Sequence, residues 1–197
     1  CFETLPLKKT NYQGVIVVIY VFLADGFEEI EALATIDVMR RAELDVTTVG
    51  VGGCRAVCGA HDIVVKADAV DTEVMYDDVE AVVLPGGALG TLNLEKSPVV
   101  QGFLDHAMSV DALVAAICAA PSILGHKGLL KGKEAICFPG FEEQLEGAAI
   151  SDKLVVTDGN IITAKGAGVA VDFGLAIVSY FKGEGRSQIL RKSLQCP

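Results

Sequence analysis

The sequence has no tryptophan and comparatively few basic residues. Its 16 Lys and Arg stand against 26 Asp and Glu, which gives a formal net charge of −10. Nucleic acids and anionic membranes attract cationic surfaces, so this charge argues against both as partners. No apolar run approaches the roughly 18 residues of a transmembrane helix. A Walker motif and a GxGxxG fingerprint are also missing, which leaves nucleotide binding with little support.

The chain is instead rich in apolar residues and glycine. Hydrophobic residues make up 51% of its 197 residues, and 21 residues are glycine. The six cysteines are widely spread and lack the dense pattern of a small disulfide-rich domain. We therefore interpret them as thiols in a reducing, cytoplasmic compartment. Lys8 and Lys9 precede the apolar run 15–24, which superficially resembles a signal peptide, but the same run fits a buried first strand better.

Strand and helix patterns alternate along the chain, which predicts an α/β fold with a doubly wound, mostly parallel sheet between helices. We expect one domain over 14–182, an N-terminal extension over 1–13 and a polar C-terminal tail over 183–197 that packs peripherally. Strands are predicted at 15–23, 44–51, 62–69, 80–87 and 112–117, with a hairpin at 153–164; helices are predicted at 27–42, 97–108, from about 119, and at 169–181.

The stretch VAAICAAPSIL (114–124) predicts a nucleophile elbow at Cys118. An apolar strand ends there, a helix follows, and the small residues Ala116 and Ala120 lie two positions to either side, as a tight strand–turn–helix requires. Amides at the helix start are expected to lower the pKa of the thiol. The alternative is a buried cysteine that acts as a small hydrophobe, which is our interpretation of Cys137.

The stretch ADGFEEIEA (24–32) follows the first strand and places Glu31 on the apolar face of a helix. A glutamate that faces the core is expected to have a raised pKa, and in its protonated form it could donate a hydrogen bond. The alternative is a glutamate at the rim that reaches water. Glu28 and Glu29 are expected to be solvated near the helix start.

The stretch LPGGALG (84–90) ends another predicted strand with two adjacent glycines. Amides of Gly86 and Gly87, together with that of Ala119, could form an oxyanion hole. The alternative is an ordinary strand-to-helix turn.

The three histidines offer little support for a Cys–His dyad. His126 lies two helical turns beyond Cys118, and His106 falls near the end of a peripheral helix. Only His61 could approach the pocket, either of its own chain or of a dimer mate. Cys54, Cys58 and His61 are close in sequence, but a closed zinc site takes four ligands, so we expect no metal.

The chain resembles the DJ-1/ThiJ/PfpI superfamily in six segments and in their order. They are FLADGFEEIEA, VVLPGG, AAICAAPSIL, GLLKGKEAICFPGFEE, DGNIITAKGAG and VDFGLAIV. The resemblance covers about residues 14–182 and is closest to the Parkinson-disease-protein and ThiJ-like branch. It implies a flavodoxin-like fold and a homodimer. It also implies a reactive Cys118, an acidic partner Glu31 and oxyanion-binding amides of Gly86, Gly87 and Ala119.

The resemblance implies two functions that use the same residues. One is a glyoxalase or deglycase without cofactor that acts on α-oxoaldehydes such as methylglyoxal and glyoxal, or on their protein adducts. In it, Cys118 forms a thiohemiacetal and Glu31 shuttles the proton. The other is a redox sensor or stress chaperone that signals through oxidation of Cys118. A peptidase or an amidotransferase is disfavoured.

The chain departs from the family pattern beside the expected pocket. TAKGAGV (163–169) stands where relatives carry a stretch like TSRGPGT. Lys165 therefore replaces a planar guanidinium, and the two cations are not equivalent. Lys165 is a candidate pocket or cross-dimer residue, as is His61. Phe138 stands where some relatives have a histidine.

Overall fold

The computed structural model describes residues 18–196. The strands are β1 (Val18–Leu23), β2 (Val46–Gly50), β3 (Ala56–Cys58), β4 (Val64–Lys66), β5 (Ala69–Val70), β6 (Val79–Leu84), β7 (Leu113–Ile117), β8 (Glu134–Ala135), β9 (Ala149–Ile150), β10 (Val155–Asp158) and β11 (Ile161–Ala164). The helices are α1 (Glu29–Arg41), α2 (Ala88–Lys96), α3 (Pro98–Ser109), α4 (Pro121–His126), α5 (Ala170–Lys182) and α6 (Glu184–Ser193).

Seven strands form one sheet in the order β10-β11-β7-β6-β1-β2-β5. Every neighbouring pair is parallel except β10 with β11, which form the predicted hairpin. The central strands β1, β6 and β7 read as nearly continuous apolar runs because the sheet is covered on both faces. The predicted doubly wound α/β architecture is confirmed.

Alternate residues of each central strand pack into two separate hydrophobic cores, one on each face of the sheet. Ile19, Val21 and Leu23 pack with apolar residues of α1 and α5 on one face. Tyr20 and Phe22 pack with α2, α3 and α4 on the other face. The sheet therefore holds α1 and the strand ends of β6 and β7 in fixed relative positions, and these elements carry the candidate site.

Some predicted elements differ in extent. The segment 62–69 divides into β4, which pairs with β3 in a hairpin, and β5, which forms the edge of the main sheet. The helix expected from about 119 begins at Pro121 and has only six residues. Residues 15–17 of the first predicted strand, and the 1–13 extension, lie outside the described residues.

Two helices were not predicted. Helix α2 follows the glycines at 86–87 directly, and its sequence ALGTLNLEK has only weak amphipathic character. Helix α6 lies in the expected tail, where its Leu190 packs with Val38 of α1 and with Leu175 and Val178 of α5. Within residues 18–196, no helix is long and apolar enough to cross a membrane.

Candidate active site

Cys118 occupies a sharp turn directly after β7. Its φ is +65°, a left-handed conformation that costs a residue with a Cβ roughly 1–2 kcal/mol. Its amide donates to the carbonyl of Ala164 at 2.9 Å, and its carbonyl accepts from the amide of Phe138 at 2.8 Å. Hydrogen bonds from two neighbouring segments thus hold this strained, half-buried residue in place.

Gly86 at the end of β6 provides the space that Cys118 needs. A Cβ at this position would lie 2.6 Å from the Cβ of Cys118 and 2.5 Å from Oε2 of Glu31. Any side chain at Gly86 would therefore collide with both side chains. The close approach of three chain segments explains why the strand ends in glycine.

Glu31 lies in the first turn of α1 and is only 1% exposed. Its Oε2 accepts a hydrogen bond from the amide of Gly86 at 2.9 Å. The amide of Ala167 and the side chain of Cys118 also lie near the carboxylate and favour its charged form. Burial raises the pKa of Glu31 to about 7, and the nearby charge of Glu28 adds to this effect, although the hydrogen bonds oppose it. Glu31 can therefore gain or lose a proton near neutral pH.

Burial and, after it, the interaction with the negatively charged Glu31 together raise the pKa of the Cys118 thiol to about 12. The expected lowering is therefore wrong for the state in which Glu31 is ionised. Amides of Gly87 and Ala119 do face the sulfur and favour the thiolate, but they do not outweigh the other two effects. The two side chains titrate as a coupled pair, because protonation of Glu31 removes the charge that opposes the thiolate.

The amides predicted to bind an oxyanion are divided between two tasks. Those of Gly87 and Ala119 point to the sulfur, whereas that of Gly86 donates to Glu31. Gly87 has a φ of +93°, and a Cβ there would lie 2.3 Å from the carbonyl oxygen of Gly26. The two glycines thus place one amide on the carboxylate and the next on the sulfur.

Glu28 and Glu29 have fixed partners at the start of α1. Glu28 is the N-cap residue, and its Oε2 accepts from the amide of Glu31 at 2.8 Å. Glu29 is 5% exposed, so the expectation that it is solvated is wrong. Its carboxylate instead accepts from the amide of His61 at 2.6 Å and contacts the ring Nδ1 of His61 at 2.7 Å.

Each histidine has a partner other than Cys118. His61 pairs with Glu29, and His126 contacts Glu95 at 2.6 Å through Nδ1. His106 lies beside the ring of Tyr76, with a centroid distance of 5.7 Å. The observed partners therefore give no support to a Cys–His dyad.

Two further candidate residues lie in the segments that follow β8 and β11. Phe138 is 47% exposed, and its ring would lie 3.3 Å from a Cβ built on Gly166, next to the segment that contacts Glu31. Lys165 is half-buried, and its amide donates to the carbonyl of Leu154.

Sequence reasoning missed the contributions of Ala167 and Glu28. The amide of Ala167 contacts Glu31 from a loop whose sequence carries no signal for this role. Glu28 carried only a weak signal, an acidic residue at a helix start, where the helix dipole favours negative charge.

The comparisons with known proteins identify the family of the chain. A cysteine elbow at the carboxyl edge of a doubly wound sheet, faced by a buried carboxyl group, defines a cysteine-centred flavodoxin-like protein. Residues 17–180 match the model of the DJ-1/PfpI family, and the chain belongs to this family.

Individual relatives cover nearly the whole chain. It is 38% identical to Protein dj-1beta of Drosophila melanogaster over 176 residues, which are 88% of this chain and 94% of that protein. It is 30% identical to the glutathione-independent glyoxalase DJR-1.2 of Caenorhabditis elegans, over 85% of this chain and 89% of that protein. The crystal structure of Drosophila melanogaster DJ-1beta superposes with a TM-score of 0.87 at 36% identity and covers 93% of this chain and 100% of that one.

Proposed function

We propose that this protein is a cysteine-dependent glyoxalase or deglycase that converts α-oxoaldehydes such as methylglyoxal and glyoxal, or their protein adducts, without glutathione. The observation that carries the proposal is the buried carboxyl group of Glu31, which lies beside the side chain of Cys118 across Gly86 and has a pKa of about 7. Membership of a family that includes a glutathione-independent glyoxalase supports the choice of substrate.

In the first step, the sulfur of Cys118 attacks the aldehyde carbon. The ionised Glu31 carboxylate accepts the thiol proton as the C–S bond forms, which provides a nucleophile despite the high pKa of the free thiol. The aldehyde oxygen gains negative charge in the resulting thiohemiacetal. The amides of Gly87 and Ala119, which lie near the sulfur, would stabilise that charge.

Glu31 first returns the thiol proton to the alkoxide oxygen, which completes the thiohemiacetal and restores the carboxylate. In the second step, this carboxylate moves a proton from the former aldehyde carbon to the neighbouring carbonyl carbon, and the hydroxyl proton passes to the oxygen of that second carbon. The first carbon is thereby oxidised to a thioester and the second is reduced to an alcohol, so no external oxidant is needed. Water then cleaves the thioester, releases a 2-hydroxy acid and regenerates the thiol. A group with a pKa of about 7 suits this role because it must both accept and return protons near neutral pH.

The test is lactate formation from methylglyoxal in a glutathione-free buffer, followed by proton NMR. We expect saturable turnover by the wild type and by Cys54→Ser, a control at an exposed cysteine. Absence of lactate with the folded wild type would overturn the proposal.

A second candidate function is a redox sensor or stress chaperone, favoured by the same contact. A half-buried thiol can be oxidised by peroxide to a sulfenic and then a sulfinic acid, with water released at each step. A protonated Glu31 would donate a hydrogen bond to the sulfinate. Mass spectrometry after mild peroxide treatment should locate two added oxygen atoms on Cys118, and oxidation that spares Cys118 would exclude this function.

We also propose that the chain forms a homodimer through an apolar surface at the start of α1 and α2. Ile30 and Leu33 are exposed on one face of α1, and Leu89 is exposed on α2. The side chain of Leu89 packs against Gly26, which joins the two helix starts into one surface. Sedimentation velocity should show a dimer that Leu33→Lys weakens and Ile189→Lys, on α6, leaves intact. A monomeric wild type would contradict this arrangement.

A reducing compartment such as the cytoplasm fits the proposed thiol chemistry. The five cysteines of the described range are all free: Cys54, Cys58, Cys118, Cys137 and Cys196. An oxidising compartment would threaten the nucleophile that the reaction depends on.

A further inference from the structure

Three metal-ligating side chains meet between the start of α1 and the loop that carries His61, apart from the pair that performs the proposed chemistry. They are Glu28, Glu29 and His61, and one ligand atom from each lies within 4.8 Å of the other two. This is the one such group among residues 18–196, and it does not include Cys54 or Cys58. We propose that these three residues form a binding site for one divalent transition-metal ion of the zinc class.

Main-chain contacts fix the two sides of this site against each other. The amide of Gly26 donates to the carbonyl of Cys58, and that of Ala60 donates to the carbonyl of Phe27, both at 2.8 Å. A Cβ on Gly59 would lie 2.3 Å from Oε1 of Glu29, so only glycine allows the loop this close to α1. The loop that carries His61 is therefore held on the helix that carries the two glutamates.

The side chains are placed for joint coordination. Oε2 of Glu29 and Nδ1 of His61 are already 2.7 Å apart. Two ligand atoms bound to one tetrahedral metal ion at about 2.0–2.1 Å lie about 3.3 Å from each other. Small side-chain rotations would therefore bring the two atoms to this separation. The side chain of His61 is 70% exposed, which leaves it room to rotate. Oε2 of Glu28 caps α1, which leaves its Oε1 for the ion.

The donor set points to the chemical class of the ion. Two carboxylates offset the charge of a divalent cation, and Asp62 adds a third negative charge next to His61. An imidazole nitrogen with carboxylate oxygens suits Zn²⁺ and Co²⁺, whereas Ca²⁺ and Mg²⁺ prefer oxygen ligands alone. Three protein ligands leave the fourth position to water.

A second Glu–His pair in the same chain supplies a matched control. Nδ1 of His126 contacts Oε1 of Glu95 at 2.6 Å, but no third ligand completes a group there within the described part of the chain. The proposal therefore assigns metal binding to His61 and not to His126.

The experiment titrates the reduced, metal-free protein with Co²⁺, followed by visible absorption, and with Zn²⁺, followed by calorimetry. We expect one ion per chain for the wild type, for His126→Ala and for Cys118→Ser. His61→Ala and Glu28→Gln should each weaken binding by more than about tenfold. Glu28→Gln retains an oxygen that can cap α1, so it tests the ligand without removing the cap.

Three results would overturn the site: no saturable binding, affinity unchanged by His61→Ala, or a cobalt–thiolate charge-transfer band that disappears with Cys118→Ser. Circular dichroism and the Tm of each variant establish that it is folded. Because binding is measured without aldehyde, and in Cys118→Ser as well, failure of the metal site is distinguishable from failure of the proposed reaction.

Discussion

The amide of Gly86 donates to Oε2 of Glu31 at 2.9 Å. This contact and the bond from the amide of Glu28 to the carbonyl of Gly86, at 3.0 Å, join the segment after β6 to the start of α1. The neighbouring amide, that of Gly87, faces the sulfur of Cys118. The carboxyl group and the thiol are therefore positioned by consecutive residues of one turn, so a shift of that turn would displace both.

The first prediction concerns this turn. Gly86→Ala should reduce kcat/KM for methylglyoxal on the order of 100-fold, because its Cβ would collide with the side chains of both Glu31 and Cys118. The matched control is Gly185→Ala on the exposed side of α6, where a Cβ meets nothing within 4 Å. The measurement is steady-state lactate formation. Equal activity of the two variants would show that the turn does not position the pair.

The second prediction concerns the pH dependence of turnover. Glu31 must be ionised to accept the thiol proton, and its pKa is raised to about 7 by burial. The value of kcat/KM should therefore fall about tenfold per pH unit below about pH 6 and level off above about pH 8. A profile from pH 4 to 9.5 at constant ionic strength measures this.

Two profiles would contradict the assignment of Glu31 as the base. A midpoint near 4.5, the usual pKa of a glutamate, would mean that the carboxyl group is not buried during catalysis. A rate that continues to rise beyond about pH 9 would mean that the thiol must ionise on its own.

The third prediction concerns stability. Because burial raises the pKa of Glu31 from 4.5 to about 7, the folded protein binds this proton more tightly than the unfolded chain. The protonated Glu31 therefore contributes to the free energy of unfolding. This contribution is fully present below pH 4.5 and is lost as the pH rises to about 7, which lowers the free energy of unfolding by about 3 kcal/mol. Glu31→Gln removes the titration and keeps an acceptor for Gly86.

Urea unfolding at pH 5 and pH 8 checks the sign of this effect. The free energy of unfolding of Glu31→Gln relative to the wild type should increase between pH 5 and pH 8 by roughly 2–3 kcal/mol. A difference between the two proteins that does not change with pH would show that Glu31 is ionised at little cost.

The sequence predicted the sheet well because burial on both faces leaves a strong pattern. β1, β6 and β7 are short runs of apolar residues, and each is followed by a turn with small residues or glycine. Helices α2 and α6 were missed for a different reason. Both have polar or mixed sequences, and they are stabilised by tertiary contacts such as that of Leu190 with Val38 and Val178.

The sequence predicted which residues form the candidate site, but it did not predict their pKa values. The helical spacing of Glu31 and the strand–turn–helix pattern around Cys118 identified residues that the fold brings together. The pKa values depend on the depth of burial and on the contact between the two side chains, which no local pattern reveals. Glu29 was misjudged likewise, because the loop that covers it comes from 32 residues further along the chain.

The central claim is that Cys118 and Glu31 together convert an α-oxoaldehyde. Its most direct test is lactate formation from methylglyoxal at pH 7.5, without glutathione, by the wild type, Cys118→Ser and Glu31→Gln. The account predicts turnover by the wild type and a loss on the order of 100-fold or more in each variant, with both variants folded. Undiminished turnover by either variant would contradict it.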